Sequence, residues 1–253
     1  MAATGSPETC VVVGATGAMG SAITSSLVAK GFRVVAVARD AAALDELGAS
    51  SELVVACPAD IASDDAVATI KRALDTPVRM AVFAAGLPVR GSADAIDPSA
   101  LAVAANIKVA GTVRLLHAVR DHLVAGSRFV AIAGSLGIEP GPLDAGPGTA
   151  NAALINLMRQ LSALYGPNGV TTHTIAPGPV DTPRLRALIE TQSAESGTSV
   201  DELWERYRAK TTLGRLPTLD EIAWLVGLLV EPQASVLHGA VLAADGGVRH
   251  GVL

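Results

Sequence analysis

The chain has 253 residues, a net charge of -5 and a half-hydrophobic composition with only 3% aromatic residues. That length suits one large α/β domain, and a core of Ala, Val, Leu and Ile suits helices packed on a parallel sheet. The interspersed charges leave no basic face for nucleic acid, two cysteines argue against a disulfide scaffold, and no consecutive apolar run reaches the ~18 residues of a membrane span.

In chain order, residues 1–9 read as a frayed tail with no basic and apolar leader, so a cytoplasmic protein is expected. Strands are predicted at 10–13, 33–38, 52–56, 80–84, 128–133, 170–175 and 240–243. Most are continuous apolar runs, as strands buried on both faces require. Helices are predicted at 18–30, 41–47, 63–74, 98–123, 149–165 and 220–229. The alternation implies right-handed βαβ units and one Rossmann-type, doubly wound parallel sheet spanning 1–253. Residues 182–216 break the rhythm. They are charged, predicted helical, and expected to lie over the sheet's carboxyl edge as a lid. Cys10 and Cys57 sit in apolar runs and read as reduced core thiols.

The first strand runs into Gly14-Ala15-Thr16-Gly17-Ala18-Met19-Gly20 and then a helix. Gly14 allows a tight turn, Gly17 a close approach of pyrophosphate, and Gly20 close packing of helix on strand. Oriented N–H groups at the helix start suit phosphate. The alternative is a structural turn only. The second strand ends Ala38-Arg39-Asp40. An acid at that strand end favours NAD, whereas Arg39 can pair with the 2′-phosphate of NADP. NADP(H) is therefore expected ahead of NAD(H). The competing reading makes Arg39 a surface residue and Asp40 a helix N-cap.

Further motifs resemble the short-chain dehydrogenase/reductase family over nearly the whole chain. They are Ala59-Asp60-Ile61, Phe83-Ala84-Ala85-Gly86, Asn106-x-x-x-x-Gly111, Ala176-Pro177-Gly178-Pro-Val180-Asp-Thr182, Gly214-Arg-Leu-Pro-Thr with Glu221-Ile222, and Asp245-Gly-Gly247. The resemblance implies Asp60 and Ile61 at the adenine and Ala84, Ala85 and Gly86 at the cofactor turn. It further implies Pro177, Gly178, Val180 and Thr182 at the nicotinamide, and Asn106 as the active-site Asn. It also implies a homodimer or homotetramer formed through helices 98–123 and 149–165, with His117 toward a partner subunit.

The same alignment reveals a departure. The family's Tyr-x-x-x-Lys becomes Pro147-Gly-Thr-Ala-Asn151, and its Ser becomes Gly134, with Ser135 beside it. No Tyr or Lys lies between Leu123 and Leu164. Proline has no proton to give and asparagine no charge, so the standard proton relay is not available. Asn151 remains able to bond the nicotinamide ribose. The substitutes are Ser135, for a carbonyl oxygen, and Asp144, for a proton if burial raises its pKa, with Glu139 and Tyr207 behind them. Tyr207 and Trp204 read first as apolar packing, Tyr165 as structural, and His173 as a satisfied interior histidine. No Cys/His/Asp cluster has metal-ligand spacing.

These residues predict an NADPH-dependent reductase with an altered catalytic centre, acting on a small apolar carbonyl, imine or enone. Two alternatives stand beside it: an inactive NADP(H)-binding or scaffold subunit, and a non-redox lyase, isomerase or cyclase reusing the pocket.

Overall fold

A computed structural model describes residues 7–87, 89 and 91–251. Residues 1–6 of the expected tail lie outside the described residues. Seven parallel strands form one sheet: β1 Thr9–Val13, β2 Arg33–Ala38, β3 Val54–Pro58, β4 Val78–Phe83, β5 Leu123–Ile132, β6 Thr171–Pro177 and β7 Val241–Ala244. Their order is β3-β2-β1-β4-β5-β6-β7. Chain order reverses between β1 and β4, which places a crevice at their carboxyl ends.

The valine runs face both ways. Val11, Val13, Val35 and Val37 bury against one helical layer with Ile70, Leu115, Leu154 and Met158. Cys10, Val12, Val34 and Ala36 bury against the other with Ile23, Leu27, Leu44 and Val226. The first layer holds α3 (Asp65–Arg72), α5 (Gly111–Val119) and α6 (Ala145–Tyr165); the second holds α1 (Ala18–Ala29), α2 (Ala41–Ala49) and α9 (Leu219–Leu228). With both faces covered, neither needs a polar alternation. Cys10 and Cys57 are buried free thiols, with burial pushing the Cys10 pKa up to about 12.

Several boundaries differ from expectation, each for a local reason. β3 starts at Val54 because the Ser51 hydroxyl accepts from Leu53 N–H at 3.2 Å and holds a turn there. β5 starts at Leu123, with an irregularity at Gly126 that shifts its register on β4. α6 starts at Ala145, so Pro147 lies in its first turn, where a missing N–H costs no helical bond. The expected helix 98–123 is α4 (Pro98–Ala105), a π-helical turn at Asn106–Ala110, and α5. By length and composition alone Pro98–His122 is apolar enough to cross a membrane. In this fold it packs against α3 and α6.

The 182–216 excursion forms α7 (Pro183–Ser196) and α8 (Val200–Arg208). Leu185, Ile189, Leu203 and Leu216 make their shared core, with Trp204 and Tyr207 packed against it.

Candidate functional site

The glycine loop is held by Gly14 and Ala15 N–H groups donating to Val37 O at 2.8 and 3.1 Å, and by Gly17 N–H donating to Gly14 O. Gly14 has φ +82°, and a Cβ there would stand 2.8 Å from Ala85 N. A Cβ on Gly20 would stand 2.0 Å from Gly14 O. Both positions therefore tolerate only hydrogen. α1 begins after Gly17 with no side-chain cap and no acid in its first turn, leaving its N–H groups open to an anion.

A cavity of about 260 Å³ runs along this loop, lined by Thr16, Arg39, Asp60, Ile61 and Gly86 among others, with Ile107 opposite. Arg39 is exposed. Among the described residues its guanidinium has no hydrogen-bond or ion-pair partner. Asp40 is the N-cap of α2, accepting from Ala43 N–H at 3.1 Å. The Asp60 carboxylate accepts from Ala62 N–H at 3.0 Å, fixing the turn beneath the cavity.

On the other side of the crevice, Pro177 ends β6 and Gly178 N–H donates to Ala244 O. Gly178 packs so closely on Asp245 that a Cβ would stand 2.9 Å from its Cβ. Val180 is buried, and the Thr182 hydroxyl caps α7 by accepting from Leu185 N–H. Arg184, on the first turn of α7, reaches the cofactor turn: its Nη1 lies 3.7 Å from the Cβ position of Gly86.

Asn151 is 6% exposed, and its Oδ1 is buried without a hydrogen-bond partner among the described residues. Its Nδ2 lies 2.8 Å from the Cβ position of Gly134. An orphaned buried acceptor is costly and points to a missing donor. Ser135 is half-buried, opens a 3-10 turn, and among the described residues its hydroxyl has no partner.

Other expected residues have different occupations. The Asp144 carboxylate accepts from Gly141 N–H at 2.9 Å and closes a turn before α6. Glu139 accepts from the His250 and Gly251 N–H groups, which hold its carboxyl below the usual range, so it is not a proton donor near neutrality. His173 bonds the Thr171 hydroxyl and Leu237 O, and burial takes its pKa down to about 4.

The Asn106 amide is engaged on the cofactor side of the crevice. Its Nδ2 donates to Ala62 O at 3.0 Å and its Oδ1 accepts from Arg114, so the amide faces the cofactor-side turn and not Asn151. Asn106 opens the π turn, whose extra residue per turn rotates the helix face relative to a regular α-helix.

The residue turned inward is Lys108, which sequence reasoning missed. It is 5% exposed, and its Nζ donates to Ile132 O at 2.8 Å. Burial, reinforced by Arg184, lowers its pKa from 10.5 to about 8. The available signal was a lone charge inside the apolar run Ala104-Ala-Asn-Ile-Lys108-Val-Ala. Among the described residues no group of three metal-ligating side chains converges.

The family described as Enoyl-(Acyl carrier protein) reductase matches residues 14–249. Galactitol 2-dehydrogenase (L-tagatose-forming) from Cereibacter sphaeroides is 31% identical over 248 residues, covering 93% of this chain and 92% of that protein. Protein MoaE of Klebsiella aerogenes is 40% identical over 119 residues, 47% of this chain and 46% of MoaE. The chain thus spans about half the length of several curated relatives it matches. L-sorbose reductase from Gluconobacter frateurii, solved with NADPH and L-sorbose, superposes with a TM-score of 0.91 at 19% identity, covering 98% of both chains.

Proposed function

The chain belongs to the short-chain dehydrogenase/reductase family, and from that premise we propose that it is an NADPH-dependent reductase with a non-standard proton source. The observation that carries this reading is the glycine cradle beside an Arg39 that has no partner among the described residues. Arg39 would hold the 2′-phosphate, the N–H groups of α1 the pyrophosphate, and Asp60 and Ile61 the adenine. Asn151 Oδ1 would accept from a ribose hydroxyl, which satisfies its orphaned acceptor. Pro177, Gly178, Val180 and Thr182 would border the nicotinamide, and Ser135 would orient a substrate carbonyl or imine. NADPH supplies hydride, a transfer that needs chiefly position. The L-sorbose reductase complex and the NADPH-dependent reductase BacG of Bacillus subtilis lend support to this nucleotide.

Pro147 and Asn151 give no proton and no charge, so substrates needing little acid, such as iminium ions, polarised enones and small apolar ketones, fit best. The same two residues favour a second reading, an NADP(H)-binding subunit without turnover. In either reading α4, α5 and α6 would form the subunit interface of a dimer or tetramer.

Calorimetric titration with NADPH and NADH tests the reading. NADPH is expected to bind at least tenfold more tightly, and Arg39→Ala to remove most of that preference, because a charge-assisted bond is worth about 1.5–3 kcal/mol. NADPH oxidation with a ketone, imine or enone panel would exclude the non-catalytic reading. Binding of neither nucleotide would overturn the proposal.

A further inference from the structure

Resting on the reductase reading above, we propose that Lys108 is the proton donor of this site, protonating the substrate atom that becomes electron-rich as hydride arrives. Its place in the fold carries the argument. Lys108 follows Ile107, which lines the cofactor cavity. Its side chain leaves the π turn, passes Phe83 with Nζ 5.8 Å from the ring centre, and ends at Ile132 O. Phe83 and Ile132 are the last residues of β4 and β5. Gly86, Gly134 and Ser135 lie just beyond those two strand ends, on the same edge of the sheet.

The surroundings are built to hold the lysine there. The Thr112 hydroxyl donates to Lys108 O at 2.7 Å within the distorted helix. Gly111 lets the helix lie against β4: a Cβ would stand 3.2 Å from both Ile61 and Phe83 side-chain atoms. Single π turns inside α-helices frequently mark functional sites.

The chemistry agrees. An ammonium has three N–H bonds, and one is directed to Ile132 O. The charged group acting on Lys108 is Arg184, a second cation, and no carboxylate among the described residues opposes it. Burial and Arg184 leave the amine able to give a proton near neutrality, which an ordinary lysine does poorly. The substrate's electrophilic carbon receives hydride, with its electron pair, from NADPH, which is oxidised to NADP+. The displaced π pair on oxygen, nitrogen or the α-carbon takes the proton as the Lys108 N–H bond breaks. The neutral amine then regains a proton from water.

The test has two arms, both on the full chain. In the first, lysines are methylated with formaldehyde and cyanoborohydride, with and without saturating NADP+, and Lys108 is followed by mass spectrometry. Lys108 is expected to be methylated in the free chain and at least tenfold more slowly with NADP+. In the second, Lys108→Met and Lys108→Arg are assayed on the fastest ketone of the panel, whose oxygen must take a proton. Both are expected to lower kcat by about 100-fold or more, since arginine keeps the charge but does not release a proton. Wild-type kcat should fall above about pH 8. Methylation indifferent to NADP+, or a Met variant within threefold of wild-type kcat, overturns the proposal. If no ketone turns over, the labelling arm decides. Failure of the wild-type chain to bind NADPH sinks the reductase reading itself, whereas NADPH binding with an indifferent Lys108 sinks only this inference.

Discussion

Gly134 and Asn151 are a matched pair. A side chain at 134 would stand 2.8 Å from Asn151 Nδ2, so adding one requires that amide to shift. Gly134→Ser is expected to displace the Asn151 amide. His173 has a separate role on β6. Burial, with Arg128 nearby, holds its pKa at about 4, below the ordinary 6.5. Between those values the unfolded chain binds a proton that the folded chain does not, so stability falls as pH drops from 6.5 to 4. Thermal melts across that window should show the fall, and His173→Asn should shrink it; parallel decline in both proteins would assign it to another group. Lys108 acts in the opposite range. Its depressed pKa means that stability rises as pH increases from about 8 to 10.5, where the unfolded chain still holds the proton.

At the scale of elements, the helix from 98 to 122 carries the largest surprise. Its apolar residues predict one continuous α-helix, and continuity is what the sequence pattern reports. The π turn at Asn106–Ala110 changes which face Asn106 and Lys108 present, and no periodicity announces it. α6 starts earlier than its sequence suggests for a related reason. Gly146, Pro147 and Gly148 look like a loop, yet the first turn of a helix requires no N–H from them. α9 shows the opposite case, a boundary written locally. Thr218 and Glu221 form a reciprocal capping box, with Arg215 bonded to Glu221. Thr218→Ala should cost about 1 kcal/mol, lowering Tm by about 2–4 °C in calorimetry. An unchanged Tm would show that tertiary packing alone holds α9 in place.

At the scale of the molecule, the proposed dimer or tetramer has a visible candidate surface. Val103 on α4 is 47% exposed and Leu164 on α6 is 64% exposed, with His117 also outward on α5. Sedimentation should find a dimer or larger, and Leu164→Glu should shift it toward monomer; a monomeric wild type ends that proposal. The glycine loop, Arg39 and Asp60 were legible because each follows directly on a strand, so neighbours in sequence are neighbours in space. The proposed proton-handling half would draw on β5, α6 and the π turn, segments far apart in sequence that meet only across the sheet edge.

The sequence by itself determined the alternation of strand and helix, the glycine cradle, and the absence of tyrosine and lysine at 147 and 151. Those are local properties, set by side-chain periodicity, by residues that only glycine can replace, and by plain identity. Tertiary structure decided that Asn106 turns to Ala62 and that Lys108 reaches Ile132. It also decided that Asn151 keeps an unsatisfied oxygen beside Gly134. These depend on the rotation of one helical turn and on contacts between distant segments, which are selected by packing the whole core and not by any stretch of chain alone.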